Sequence, residues 1–300
     1  MSFEPMLFGA EEEIAEPRPR QRVWRTAWLE AIALFLLAFA LYALTDILGV
    51  LSTRPASTSG RMGIAVLPAL LWLFLSYRAE RRTRQPRPHL VAVLVLGALV
   101  ASGVALPLEE HLFQPERWLP SLDFFGRLLG YATTVGFTAE FLKYLVLRHA
   151  IWPQHIGQRL DGIAYGLAVA VGFATVLSLR YALLTEATLA ATALRVASIT
   201  LPHLAGSVIV GFFLAELWIG RTAILWLPAG LILAALISGA HYAFRAIAIV
   251  GSPGVGSTGS SPLLGLLLAA GFAAATFALF AFIITSADAR AALALSRRLP

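Results

Sequence analysis

The sequence predicts an all-α, polytopic helical membrane protein with about eight transmembrane helices in one bundle. Three observations carry that reading. Only 13% of the 300 residues are charged, against about 25% in soluble domains. Apolar residues make up 58% of the chain and the mean hydropathy is +0.77. Apolar runs of about 20 residues, the length that crosses a bilayer, recur along the whole chain. No loop between them is long enough for a separate catalytic domain, so any chemistry has to sit among the helices.

The elements follow in order. Residues 1–25 form a polar tail with an acidic run (Glu11, Glu12, Glu13) and then a Pro/Arg run, read as a disordered cytoplasmic tail. The first span, 26–50, passes Ala38-Phe39-Ala40, which resembles a signal-peptide cleavage site. Its apolar run continues to Val50, so it reads as a retained anchor. Spans two and three are 62–78 and 89–107, and 107–121, with Glu109, Glu110 and Trp118, reads as a short interfacial segment. Span four, 124–147, carries Glu140 and Lys143. Span five, 160–184, opens at Asp161, a candidate helix N-cap. It carries the small-residue stripe Gly162, Gly166 and Ala170, with Gly172 beyond, which lets a neighbouring helix approach. Spans six and seven, 195–218 and 223–249, each hold a histidine. A Gly/Ser-rich linker at 251–262 leads to span eight, 262–285, and 286–300 reads as a cytoplasmic tail.

The net charge of +6 is carried by 22 arginines and one lysine, Lys143. The arginines lie mostly in short loops, where they act as topology signals or headgroup contacts rather than as a nucleic-acid face. With the N-terminus inside, inner segments collect 15 of them and outer segments only Arg54, Arg61, Arg117 and Arg195. Both termini are therefore expected in the cytoplasm and the protein in the plasma membrane. The chain has no cysteine, which excludes disulfides, thiolate metal sites, Fe–S clusters and a cysteine nucleophile.

Removing the loop charges leaves Glu140 as the one deep acid, His203 and His241 as the deep histidines, and Arg127, Lys143, Arg180 and Arg245 as embedded bases. Each ionisable group in the bilayer core costs about 2.5 kcal/mol or more, so each should have a partner or a role. Lys143 shares a helix face with Glu140. The two form either a packing ion pair or a carboxylate poised to ligate a metal or activate water. Two His and one Glu are the ligand types of a catalytic zinc with one open position, so Glu140, His203 and His241 are the candidate metal ligands and Zn2+ the candidate cofactor. The same trio without a metal would act by general-base catalysis. There is no His-Glu-x-x-His helix and no Gly-x-Ser-x-Gly elbow, and nothing supports a Ser238–His203 dyad. From the predicted span ends, Glu140 lies about 20–25 Å below the outer surface and the histidines about 12–15 Å, counting 1.5 Å per residue. Tilt, unequal span starts or a break at Pro202 would have to close that gap.

Between about 130 and 249 the chain resembles the PrsW-type intramembrane proteases, relatives of the membrane-embedded CAAX-processing proteases. The family's Glu-Glu-x-x-Lys appears as Ala139-Glu140-Phe141-Leu142-Lys143. Its Asp-Gly-Ile-x-Tyr-Gly block is matched by Asp161-Gly162-Ile163-Ala164-Tyr165-Gly166, followed by Gly172-Phe173-Ala174. Two further blocks open with intramembrane histidines, matched by His203 and His241. Three family acids are replaced, by Ala139, Leu177 and Arg245.

The resemblance implies a helical bundle with a polar pocket and proteolysis by Glu140, His203 and His241, with Lys143 orienting Glu140. The substrate would be a membrane protein or a membrane-anchored peptide. Two other readings stand beside it. One is a non-catalytic relative that binds a partner helix or peptide. The other is a transporter reading an anionic solute through Arg180 and Arg245.

Overall fold

The computed structural model describes residues 21–81, 86–220, 222–223, 225–250 and 262–296. Among these there are helices and no strand: α1 (Gln21–Tyr42), α2 (Thr58–Glu80), α3 (Leu90–Val100), the short α4 (Pro115–Trp118), α5 (Phe124–Tyr131), α6 (Phe137–Ala150), α7 (Arg159–Leu184), α8 (Leu189–Ile219), α9 (Trp226–Val250) and α10 (Pro262–Ser296). π-Helical turns extend α1 at Ala43–Ile47 and α3 at Ala101–Ala105, and another, Ala132–Gly136, joins α5 to α6. The helices begin earlier and end later than the predicted bundle limits, at Gln21 and Ser296. The 251–262 linker lies outside the described residues, except for Pro262, the first residue of α10.

The protein is an all-α polytopic membrane protein. Seven described segments are long and apolar enough to cross a membrane. Predicted span four is not one of them, because Glu140 and Lys143 dilute its apolar residues. It nevertheless forms the continuous α5–α6 run, packed along α9. Gly136 lies against the Ala235 carbonyl and Gly239 against the Ala132 backbone, so the two helices approach at their glycines.

Helices α7 and α8 form the centre, and α8 is sheathed along its entire apolar stretch. Between membrane helices there is little hydrophobic drive, so close packing through small residues has to supply the association. The stripe on α7 does this. Cβ atoms added at Gly162 or Gly211 would run into the other's carbonyl, and one at Gly166 would meet the Ser207 carbonyl. On the opposite face, Gly172 lies against the Leu94 carbonyl and Gly97 of α3 against the Val169 carbonyl. The small-residue stripe therefore serves two interfaces.

Polar pins fix both ends. At one end, Arg87 bridges Glu80 at 2.7 Å and Asp161 at 2.8 Å, tying α2 to the start of α7. The N-cap of α7 is Gln158 rather than Asp161. Asp161 is the third residue of a capping box and accepts from the Gln158 amide at 2.9 Å. Arg159 pairs with Glu216 of α8. At the other end, Arg61 donates from Nε to the Ala182 carbonyl at 3.0 Å and Arg180 pairs with Glu110. Arg127 donates to the Leu122 and Pro120 carbonyls at 2.8 and 2.9 Å. Glu140 is not the only buried acid: Glu30 of α1 is fully buried as well.

Replacing Gly162 with Val forces a branched side chain into the α7–α8 contact and should cost about 1–3 kcal/mol. Gly63, with open space around its Cβ position, should accept Ala with no loss or a gain of a few tenths of a kcal/mol. Thermal unfolding of the two variants in detergent micelles compares them.

Candidate functional site

The site grows from helix α6. Glu140 and Lys143 are one turn apart there, so their side chains meet. Lys143 Nζ donates to Glu140 Oε1 at 2.7 Å, and both side chains are completely buried. Helix α9 adds Ser238, whose hydroxyl donates to the same Glu140 oxygen at 3.1 Å. Helix α8 adds His203. Lys143 Nζ lies 3.4 Å from His203 Nδ1 and 3.4 Å from the His203 carbonyl oxygen. Helix α7 closes the group with Phe173, whose ring centre is 5.2 Å from the His203 ring and 5.7 Å from the ammonium. Gly206, one turn after His203, leaves the space the carboxylate fills, since a methyl there would be driven into Glu140.

For His203, the depth mismatch expected from the sequence is closed by an earlier helix start. Thr188 caps α8 by accepting from the Ala191 amide, so the helix begins at Leu189 instead of 195. Those residues add about 9 Å of rise above His203 at 1.5 Å each. Helix α8 is unbroken through Pro202.

His203 and Lys143 thus join Glu140. His241 lies three residues after Ser238 on α9, buried beside the rings of Tyr242 and Phe272 at 5.9 and 6.3 Å. Ser238, considered with His203 only as a dyad, and Phe173, noted only in its motif block, join the group through Glu140 and Lys143 instead. Gly206 escaped the sequence reading, and its one signal was helical spacing, three residues after His203. Ala139, in place of a family acid, sits in an apolar cluster with Leu142 and Phe173. Arg245 lies outside the described side chains.

The electrostatic logic is one-sided. An ammonium only donates, so its contact with His203 Nδ1 at 3.4 Å favours Nδ1 as acceptor and the ring hydrogen on Nε2. Glu140 Oε1 takes both incoming hydrogens. Glu140 Oε2 and His203 Nε2 have no hydrogen-bond partner among the described residues. Two buried polar atoms are thereby left for something else to engage, one accepting and one donating.

Residues 85–269 match the PrsW family of intramembrane metalloproteases. The chain belongs to that family. It is 27% identical over 157 residues to a protein named Protease PrsW from Clostridioides difficile strain 630, covering 51% of this chain and 64% of that protein. It is 31% identical over 109 residues to Protease PrsW from Bacillus subtilis strain 168, covering 35% and 49% respectively. The matches span roughly half to two thirds of those relatives. No solved structure matches the chain.

A metal is implied by the PrsW family description, and the donor set tests it. As placed, the residues do not fit one. Among the described residues no three His, Asp or Glu side chains are grouped to hold an ion. The Lys143 ammonium stands between Glu140 and His203, already supplying the cation. His203 Nδ1 lies 3.4 Å from that ammonium, so this nitrogen faces a cation and not an open ligand position. A zinc ligand needs a free lone pair.

Removing the ammonium should be costly. Lys143→Met leaves a buried carboxylate without compensation and should lower unfolding stability by about 3–5 kcal/mol. Adding Glu140→Leu to Lys143→Met should recover most of the loss. Denaturant titration in micelles reads both, and an equal loss in single and double variants would show that the pair does not act as a unit.

Proposed function

We propose that this PrsW-family chain is an intramembrane protease in which Glu140 activates the attacking water and His203 steadies the oxyanion. The observation that carries the reading is the split use of the Glu140 carboxylate. One oxygen is held by Lys143 and Ser238, which fixes its orientation and offsets its charge. The other oxygen is buried and unengaged among the described residues. It is placed to accept a proton as water adds to the carbonyl carbon of a peptide bond.

The carbonyl oxygen then carries the negative charge, and the His203 Nε2 hydrogen is the donor that faces it. Collapse of that adduct breaks the C–N bond, and Glu140 returns its proton to the departing nitrogen. Lys143 is a positioning residue for both groups. His241 lies three residues after Ser238 on α9 and is buried beside Tyr242 and Phe272. The burial of the cluster suits the chemistry, because donors aimed at a developing charge are worth more where water is scarce. The substrate would be a membrane protein or membrane-anchored peptide, and the orientation would place both termini in the cytoplasm of a plasma-membrane protein.

A second reading has one specific observation behind it. The apolar surroundings of Ala139 leave the group one acid short of the family pattern, which favours a relative that binds peptide without cutting it.

The test compares membranes from cells producing the natural chain or the Glu140→Gln variant by mapping new peptide ends. The protease reading expects ends within or beside membrane spans that fall at least about 100-fold in the variant. Ser238→Ala, which removes one long hydrogen bond to a charged group, should cost about tenfold, the low end for such a bond. Equal cleavage with and without Glu140 would contradict the mechanism. Absence of any such ends favours the binding reading.

A further inference from the structure

Beside the buried group lies a cavity of about 350 Å³, at the end of the bundle where 107–121 and 185–188 run. Its wall includes Tyr131, Leu177, Arg180, Arg195, Ile199 and Tyr242. It shares Glu109, Glu116 and Arg180 with a second cavity of about 270 Å³, so the two form one depression. The first alone is within the size range of small-ligand pockets.

The position of this depression follows from helix arithmetic. Leu177 is four residues past Phe173, Ile199 four before His203, and Tyr242 next to His241. A helical turn rises about 5.4 Å, so the floor of the depression lies about one turn from the buried group on α7 and α8. It is the mouth of the site.

Two arginines face it and differ in their partners. Arg180 is paired with Glu110. Arg195 forms no ion pair among the described residues, and its Nε is buried without a hydrogen-bond partner. Its guanidinium is held over the Tyr181 ring, 5.4 Å from the centre. Stacking of that kind orients the fork while leaving its edge hydrogens open. The acids of the depression are Glu109, Glu116 and Glu110, the last paired with Arg180, and together they would repel a run of negative charges.

We propose that Arg195 is a specificity-determining residue that binds a single acidic side chain on the substrate, just outside the span that enters the site. The assignment rests on the protease reading for the word substrate. The cavity and the unpaired guanidinium stand without it. The aromatic and aliphatic wall takes the adjoining apolar residues, and Arg195 sets the register of the segment that reaches Glu140.

The test uses two synthetic single-span peptides with a Leu/Ala core, identical except for one Asp or one Asn beside the end expected outside. Binding is read by energy transfer from a fluorophore on one introduced cysteine, in a chain that has none of its own. The protein carries Glu140→Gln and sits in phosphatidylcholine vesicles. The Asp peptide should half-saturate at about tenfold lower peptide-to-lipid ratio, in the range of a partly desolvated charge pair. Arg195→Gln should erase that difference, and Arg195→Glu should prefer a Lys peptide instead.

Equal binding of the Asp and Asn peptides by the protein with Arg195 intact overturns the proposal, even if the Arg195 variants fail to fold. So does an Asp preference that survives in Arg195→Gln. Loss of the preference when phosphatidylglycerol is added assigns the guanidinium to lipid headgroups, which also overturns it. An Asp preference in a protein that cleaves nothing leaves the site standing and removes the protease reading. Glu140-dependent cleavage without an Asp preference does the reverse.

Discussion

The buried ammonium of Lys143 is the constraint on which the centre of this protein depends. A carboxylate with no compensating charge inside a bilayer bundle is expensive, and the expense falls with a cation at hydrogen-bond distance. Lys143 provides that on the same helix, 2.7 Å from Glu140. It also faces the ring nitrogen and the carbonyl of His203 on α8. One group therefore sets the orientation of a carboxylate and the tautomer of an imidazole. The close contacts of α7 with α8 have a purpose in this light. Gly162, Gly166 and Gly211 bring the two backbones together, and that approach seats the Phe173 ring of α7 beside His203 and the ammonium.

Much of this was legible in the residues, and the rest was hidden for identifiable physical reasons. Hydropathy located the spans because a helix facing lipid must be apolar along most of its length. The α5–α6 run, read as span four, is less apolar than the other spans because Glu140 and Lys143 lie in it. The start of α8 was misplaced because Thr188 caps a helix whose first residues, Leu189 to Leu194, read as an extension of the polar loop at 185–188. That one cap moved His203 deep enough to meet Lys143. Glu30, inside the first predicted span, carries no motif that marks it, and its burial shows only in the packing of α1. Ser238 and Gly206 carry no chemical signature of their own. Only the contact between helices shows that one bonds the Glu140 carboxylate and the other leaves room for it.

Family membership and local geometry constrain the function from different sides. Membership in the PrsW family fixes the bundle and the expectation of proteolysis within a membrane. The geometry narrows the possible chemistry. Ala139 is packed among apolar side chains, which leaves Glu140 as the carboxylate of the buried group. The ammonium lies within 3.4 Å of both Glu140 and His203, and the proposed mechanism uses the other carboxylate oxygen and the other ring nitrogen. The depression on α7 and α8, with a tyrosine-lined wall and an arginine without an ion-pair partner among the described residues, lies about one turn from the buried group.

The most direct measurement of the central claim is the tautomer of His203. Nitrogen-15 spectra of histidine-labelled protein in lipid bilayers, with the His203 signals assigned by their disappearance in His203→Gln, report the state of each ring nitrogen. The account predicts a neutral ring with hydrogen on Nε2 and an accepting Nδ1 that shifts when Lys143 is replaced by Met. Hydrogen on Nδ1, or a ring indifferent to Lys143, would contradict it.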